Sequence, residues 1–497
     1  MAYRPSGSRD VRTIASALGV VHLVEGTVQR DGNRVRITTE LIDARTDETL
    51  WSESYLRDLT DIFAIQSEIA LAVASKLTAR LSPEEQKDIG ERPTTDLEAY
   101  DLYLQAKELV TNWRFAARSD DLPKAIKLLD EAIGKDPKFT LAYCILARAH
   151  DDLYHFRIDK TPERRALGDS AVNLALQLEP DPPEPHLAAA YHLYSSYRDY
   201  ERASVQIALA QKTLPNSSEA LWLAARIDAR LGHLNEAITS LEKAYALDPR
   251  NPEIVLYLGL DYQALRRYED AQQMGDRLGE LQPDSPHFTD KKARTVWIRT
   301  RDATRYRATL DQLPSSIKDH SYWASDRFWL ALYARDWPAA KRILGTSPDE
   351  DLFVGSNVKV PVPRRCGEIW LAALQGQHPT MESEFASARD QLQQRFEIHP
   401  DDVELLSTLG MVDAFLGRKS EAIQEAAHAV ELRPISKDAV EGPWILGNLA
   451  AVYAWTNESD LSFRELTTLV ETPNAAGSRE IFKTEPIWGS HSEGSSV

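Results

Sequence analysis

The pattern of apolar and polar positions changes character near residue 81. Ahead of that point, short runs alternate with a period of two between two helical patterns; beyond it, apolar residues recur every three or four positions. Asp10 is placed to cap a short helix through Ala17 whose apolar side is Val11, Ile14, Ala15 and Leu18, ending near Gly19. Val21–Arg30 is rich in β-formers, Asp31-Gly32-Asn33 is a tight-turn signal, and Val35–Ile42 returns with β-branched residues, so a hairpin is predicted. A polar turn at Arg45-Thr46-Asp47 leads to a third strand, Thr49–Tyr55, with Trp51, Glu53 and Tyr55 on one face and Leu50, Ser52 and Ser54 on the other. Asp61 opens a helix to about Leu81, in which Ile62, Ile65, Ile69, Val73 and Leu77 form a core-facing stripe. Residues 1–81 are expected to be an α+β domain of order α-β-β-β-α with antiparallel strands. A polar linker with Pro83, Gly90 and Pro93 follows at 82–96.

Beyond the linker the chain repeats itself. Pro215, Pro249 and Pro283 stand 34 residues apart, as do Pro400 and Pro434. That period marks the tetratricopeptide repeat (TPR), in which each unit is a pair of antiparallel helices. Small residues let the two helices of a unit approach, and large ones fill the seam beside them. In frame, the unit ending at Pro249 supplies Leu221, Ala224, Ala225, Ala237, Leu241 and Ala244. The unit ending at Pro283 has Val255, Leu258, Gly259, Tyr262, Ala271 and Leu278; that ending at Pro434 has Leu406, Leu409, Gly410, Ala422, Ala426 and Ala429. The unit ending at Pro215 fits through Leu187, Ala190, Tyr191, Tyr194, Ala203, Ile207 and Ala210. Residues 98–137 carry Ala125, Leu129 and Ala132 in frame, and Phe139–Pro180 is nine residues too long, which predicts an extended interhelix loop around Phe156–Pro162. Residues 284–348 read as two divergent helix pairs, 363–400 as another, and about 440–471 as the last. The expectation is an all-α TPR solenoid, an α-α superhelix, over 97–473 with roughly nine to ten helix pairs, and a polar tail at 474–497.

Charge follows the same division. The 497 residues hold 58 Lys and Arg against 76 Asp and Glu, a net charge of −18, of which residues 1–80 contribute only −1. A strongly acidic array disfavours nucleic acid or an anionic membrane surface as partner. Cys144 and Cys366, 222 positions apart, are too few for a disulfide framework or a four-cysteine zinc site and read as small buried residues. No run approaches the ~20 apolar residues of a membrane span, and MAYRPSGSRD lacks the apolar core of a signal peptide, so a cytoplasmic location is expected. A periplasmic one is the alternative, should the chain belong to a longer membrane-anchored protein.

Residues 10–81 resemble the second half of the αβ domain found at the amino terminus of TolB and in FlgO-like proteins. The resemblance is carried by Leu18-Gly19-Val20, Val24-Glu25-Gly26-Thr27-Val28, Arg34-Val35-Arg36-Ile37-Thr38, Leu41-Ile42-Asp43-Ala44, Leu50-Trp51-Ser52-Glu53 and Asp61-Ile62-Phe63-Ala64-Ile65-Gln66. In bacteria this domain is often followed by TPR units, and Ala99-Tyr100-Asp101-Leu102-Tyr103-Leu104 looks like that junction. Pro486-Ile487-Trp488 resembles the tail of such arrays. Family members carry a further strand and helix ahead of the part matched here, often beneath a nucleotide cyclase, a Ser/Thr protein kinase or a winged-helix DNA-binding module. The resemblance therefore implies a second role, as the sensory and regulatory half of a larger bacterial signalling protein.

Catalytic signatures are missing from the sequence: no P-loop, G-x-G-x-x-G, G-x-S-x-G or H-E-x-x-H occurs. The expectation is a protein that is no enzyme, with no cofactor and no bound metal. His150, Asp151, Asp152 and His155 form the best loose donor cluster, against the reading that they are solvated or structural. Glu425 and His428 share a helix face, which suits a surface polar pair. Trp329, Tyr333 and Trp337, at i, i+4 and i+8 beside Tyr322, Trp323 and Phe328, read as a core stripe.

The concave face of a TPR array usually holds a peptide or helix, and the first helices line it. His192, Trp222, Arg226, Arg230 and Gln263 are the candidate partner-binding residues on that face. An arginine pair beside a tryptophan suits an acidic or aromatic segment of a protein partner. The alternative is that the arginines pair with this chain's own carboxylates and Trp222 is packing. On the first reading, Arg226→Glu with Arg230→Glu weakens partner binding without unfolding the array. The Lys/Asn pattern that clamps a chaperone's C-terminal carboxylate is missing, which disfavours that partner class.

Overall fold

The computed structural model describes residues 10–32, 34–58, 62–77, 89–90, 92–114, 119–282, 285, 296, 299–300, 302–311, 321–346, 351–354, 360–376 and 382–473. The chain opens with α1 (Val11–Leu18), whose first turn is capped by the Asp10 carboxylate through the N–H groups of Arg12 and Thr13. Strands β1 (His22–Asp31), β2 (Arg34–Asp43) and β3 (Glu48–Asp58) form an antiparallel sheet in that order, with Val28 opposite Ile37 and Ile37 opposite Tyr55. Helix α2 (Ile62–Lys76) covers part of one face, where Ile65 and Ile69 meet Val35, Ile37, Trp51 and Tyr55. The predicted order α-β-β-β-α is the order observed. Because α2 lies over β2 and β3, the β1 residues Val24 and Val28 stay 51% and 70% exposed. Leu77, assigned to the helix stripe, is also exposed.

A run of antiparallel helix pairs follows. Asp96 caps α3 (Leu97–Asn112) by accepting from the N–H groups of Glu98 and Ala99, and Phe63 of α2 packs edge-on against Tyr100, joining the two parts. Its partner is α4 (Asp121–Lys135). The next pairs are α5 (Thr140–His155) with α6 (Pro162–Leu178), and α7 (Pro183–His192), which runs on as a π turn at Leu193–Tyr197, with α8 (Tyr200–Gln211). Then come α9 (Ser218–Arg230) with α10 (Leu234–Leu247), and α11 (Pro252–Ala264) with α12 (Tyr268–Leu281). The long unit resolves as predicted, with six residues between α5 and α6.

Helix α13 (Ala303–Leu310) precedes a pair formed by α14 (Ser321–Tyr333) and α15 (Trp337–Thr346). The array continues with α16 (Arg364–Leu374) and α17 (Glu382–Ile398), α18 (Val403–Phe415) and α19 (Lys419–Leu432), and α20 (Gly442–Trp455) and α21 (Ser459–Glu471). A departure from the purely helical expectation lies just before α16, where strands β4 (Asp351–Val354) and β5 (Val360–Pro363) form a small hairpin. Pro361 and Pro363 exclude a helix there, while Val362 is fully buried in the local core and Arg395 of α17 pairs with Asp351 at 2.7 Å. Pro283, most of the 82–96 linker and the 474–497 tail lie outside the described residues.

The in-frame residues account for the seams. Ala125, Leu129, Ala132, Ala190, Ala203, Ala210, Ala225, Ala237, Leu241, Ala244, Ala422 and Ala429 have no exposed surface. At Gly410 of α18 an added Cβ would stand 3.0 Å from the Ala422 carbonyl oxygen and 3.0 Å from the Ala426 nitrogen. Glycine lets α18 and α19 cross this closely, since any side chain there would press on the α19 backbone.

Candidate functional site

The five residues proposed to line the groove are all buried, with Arg226 and Arg230 only 2% and 3% exposed. His192, at the end of α7, bridges two carboxylates, its Nδ1 2.6 Å from Asp151 and its Nε2 2.9 Å from Asp169. Burial opposes its charge, but these two carboxylates raise its pKa. Trp222 and Arg226 sit one turn apart on α9. The indole of Trp222 stacks on Tyr191, and the Arg226 guanidinium lies over the Tyr257 ring at 3.8 Å and 3.4 Å from Asp261. Burial pushes the Asp261 carboxyl up to about 6, against the pull of Arg226. Arg230 follows on the same face and donates to both oxygens of Asp438 at 3.1 and 2.9 Å, while Tyr194 and Tyr200 flank its guanidinium. Gln263 is buried on α11.

What faces Arg230 comes from more than 200 positions further along the chain: residues 401–441 lie against the α5–α9 units. Arg157, in the α5–α6 loop, makes a bidentate pair with Asp402 and donates to Glu404 at 3.2 Å; Lys160 reaches Asp402 at 3.3 Å. Arg198, between α7 and α8, donates to Glu404 at 3.2 Å and to Glu441 at 2.7 Å. Arg433 completes the cluster with Glu404 and Glu441. Glu441 Oε1 stands 2.9 Å from Arg230 Nη1 without hydrogen-bond geometry, so that contact is purely ionic. The backbone joins in, with Ala439 N–H donating to the Arg230 carbonyl at 2.8 Å. Burial alone would raise the Glu404 carboxyl, but Arg198 and Arg433 hold it well below the usual carboxylate range; Asp438 is lowered in the same way by Arg230 and Arg198.

The double reversal of Arg226 and Arg230 therefore has a different consequence from the one expected of exposed groove residues. Each guanidinium is buried against a carboxylate, so reversal places like charges in contact and destabilises the array itself.

The other clusters resolve into local roles. Asp151 accepts from Ser196 and pairs with His192; Asp152 accepts from Trp113 Nε1 at 3.0 Å and Tyr191 at 2.6 Å. His150 meets Arg164 at 2.9 Å, and His155 meets the Ser195 carbonyl. Burial lowers both histidines, to about 4 and about 3, so both are neutral near pH 7. No three histidine, cysteine or acidic side chains among the described residues are arranged to hold a metal. Glu425 turns to Arg389 at 3.1 Å and exposed His428 to Glu431, so they are not one site. Phe328 is fully buried and Trp329 packs on Trp370, while Trp337 is partly buried in the same core. The side chains of Tyr322, Trp323 and Tyr333 lie outside the described residues.

The cationic residues 157, 160 and 198 were not singled out from sequence, because they sit in turns between helices. A signal was present: residues 198, 232 and 266 fall at the 34-residue spacing, at the turn closing each first helix.

Residues 229–295 match the family model of the tetratricopeptide repeat. The helix pairs in that stretch are TPR units, and the rest of the array is made of similar antiparallel helix pairs. Among curated proteins, the chain is 29% identical over 185 residues to "Putative adenylate cyclase 3" of Rhizobium meliloti (strain 1021), a match that covers 37% of this chain and 31% of that protein. The chain thus spans about a third of the length of that relative. Among solved structures, a thermophilic TPR protein of Thermus thermophilus is 18% identical, with a TM-score of 0.34 over 40% of this chain and 98% of that one. The human IFIT1 dimer with m7Gppp-AAAA is 14% identical, with a TM-score of 0.42 over 76% of this chain and 78% of that one. Among the described residues no helix is long and apolar enough to cross a membrane.

Proposed function

We propose that this chain is a non-catalytic TPR scaffold that binds another protein through the inner face of its first helices. The observation that supports it is the unbroken set of helix pairs α5 to α12, whose first helices follow one another along one side of the array. A rigid, preformed row lowers the ordering cost for an extended partner. Cross-linking mass spectrometry on the chain in its source cells tests this. Cross-links from one recurrent protein to residues of α5, α7, α9 and α11 are expected; their confinement to the sheet or to α13–α17 would overturn it.

A second reading has its own support. The match to a protein named as an adenylate cyclase, of which only about a third is covered, favours a regulatory half in a larger signalling protein. The N-terminal α-β-β-β-α unit, which resembles the TolB-amino-terminal and FlgO-like class in the segments quoted above, agrees with that setting. An immunoblot of source cells with antibody to the repeats separates the two: a band near 55.9 kDa supports the free scaffold, and a much larger one the regulatory half.

A further inference from the structure

The contact between α5–α9 and residues 401–441 is charged on both sides and nearly single-signed on each. The first side contributes Arg157, Lys160, Arg198 and Arg230; the second contributes Asp402, Glu404, Asp438 and Glu441, with Arg433 the one cation among these contacts. The carboxylate side chains of Asp402, Asp438 and Glu441 are 0%, 2% and 6% exposed. Burying this many charges gives no more stability than an apolar interface of the same shape would, so stability alone does not explain the choice. What it does provide is an interface that opposite charge can rebuild elsewhere.

The turn after each first helix takes a positive φ throughout the array, at Arg157, Arg198, Gly232, Arg266, Arg335 and Gly417 alike. At Arg157 and Arg198 this turn delivers a guanidinium to Asp402, Glu404 and Glu441. Opposite them, the carboxylates are set by their own turns: Asp402 caps α18 through Leu405 N–H, and Asp438 accepts from the N–H groups of Val440 and Glu441. They lie on the cationic face as the side chains of a bound acidic segment would.

We propose that the face made by Arg157, Lys160, Arg198 and Arg230 is a docking surface for an acidic segment of a partner protein, and that residues 402–404 and 438–441 occupy it as a built-in competitor. The recognised feature is two carboxylates two or three residues apart, the spacing of Asp402 with Glu404 and of Asp438 with Glu441. The inference rests on the reading of the chain as a protein-binding scaffold, and names both its partner class and its regulation. An acidic protein fits better than a nucleic acid, because the groups that occupy the surface in this structure are carboxylates held two or three residues apart.

The test uses the full chain with Glu404→Gln and Glu441→Gln, which removes charge and keeps shape. Its probe is a labelled peptide of residues 398–408, IHPDDVELLST, beside the same peptide with Asn and Gln for its acids. Hydrogen exchange at 154–165 and 194–200 is expected to quicken in the variant while its helical circular dichroism persists. The acidic peptide is expected to bind the variant about tenfold more tightly than the unaltered chain, and to lose that gain when Arg157→Gln and Arg198→Gln are added. An opened variant that binds the acidic and neutral peptides alike would overturn the proposal, as would one that prefers a single-stranded oligonucleotide. Should the Gln pair fail to fold, Arg198→Glu with Glu441→Arg serves: restored protection in this swap supports the contact as an ionic latch, and its loss counts against it. Absence of any cellular partner in both closed and opened chains would instead defeat the scaffold reading, while the peptide titration still decides whether the cationic face selects acidic segments.

Discussion

Two kinds of interface hold this array, and they obey different physics. The seam inside a unit, such as Ala237, Leu241 and Ala244 of α10 against α9, is apolar, local in sequence and repeated every 34 residues. The contact between residues 154–230 and 401–441 is ionic, distant in sequence and made once. Removing a methylene from the first leaves a cavity, and its cost scales with volume. Removing one partner from the second leaves a buried charge without its counter-ion, and the cost lies in desolvation.

The largest expected effect tests the ionic contact. Glu404→Ala should cost about 3–5 kcal/mol in chemical denaturation, since Arg157, Arg198 and Arg433 all lose a carboxylate. Adding Arg198→Ala should restore part of the loss, and strict additivity of the two would show that the side chains do not interact. Leu241→Ala probes the apolar seam and should cost about 2–5 kcal/mol, with no second truncation that restores it. A rescue of Leu241→Ala by Arg198→Ala as large as that of Glu404→Ala would erase the distinction between the two interfaces.

Asp261 is an intermediate case, a carboxylate pushed up to about 6 inside the row of first helices. The folded protein holds its proton more tightly than the unfolded chain does. Its contribution is therefore fully present below pH about 3.8 and is lost as pH rises to about 6, by roughly 3 kcal/mol. Asp261→Asn should flatten the pH dependence of stability across that window, and an unchanged slope would place the titration elsewhere. Smaller still, Asp96→Ala should cost about 1 kcal/mol by uncapping α3, read as a lower Tm. The smallest is Arg464→Ala, which removes a solvent-screened pair with Glu465 on α21 and should leave Tm where it is; a clear drop would mean that a surface pair also holds the array.

The same contrast explains what the sequence made legible. Helix seams follow from spacing alone, so Ala225, Leu241, Gly410 and Ala429 are found by counting from the prolines. The strands of the N-terminal unit follow from alternation and from the turn at Asp31-Gly32. The β4–β5 hairpin escaped because Val360-Pro361-Val362-Pro363 is too short to show a period, and its burial depends on neighbours from α14 and α17. Trp222, Arg226 and Arg230 share one side of α9, as their spacing predicts. Their charge partners were not legible, because nothing in the periodicity of α9 points to Asp438 in a loop beyond α19. A repeat pattern reports where each unit meets the next and is silent about where distant units meet.

That long-range contact also sets a timetable. Helix pairs close over a few tens of residues, so the units from α5 to α9 are complete as soon as they leave the ribosome. Asp402 and Asp438 follow more than 170 residues behind Arg230, which at ~5–20 residues per second is a delay of roughly 10–40 s. For that interval the nascent chain presents Arg157, Lys160, Arg198 and Arg230 without their counter-charges. The face is completed only when the chain's own acids arrive.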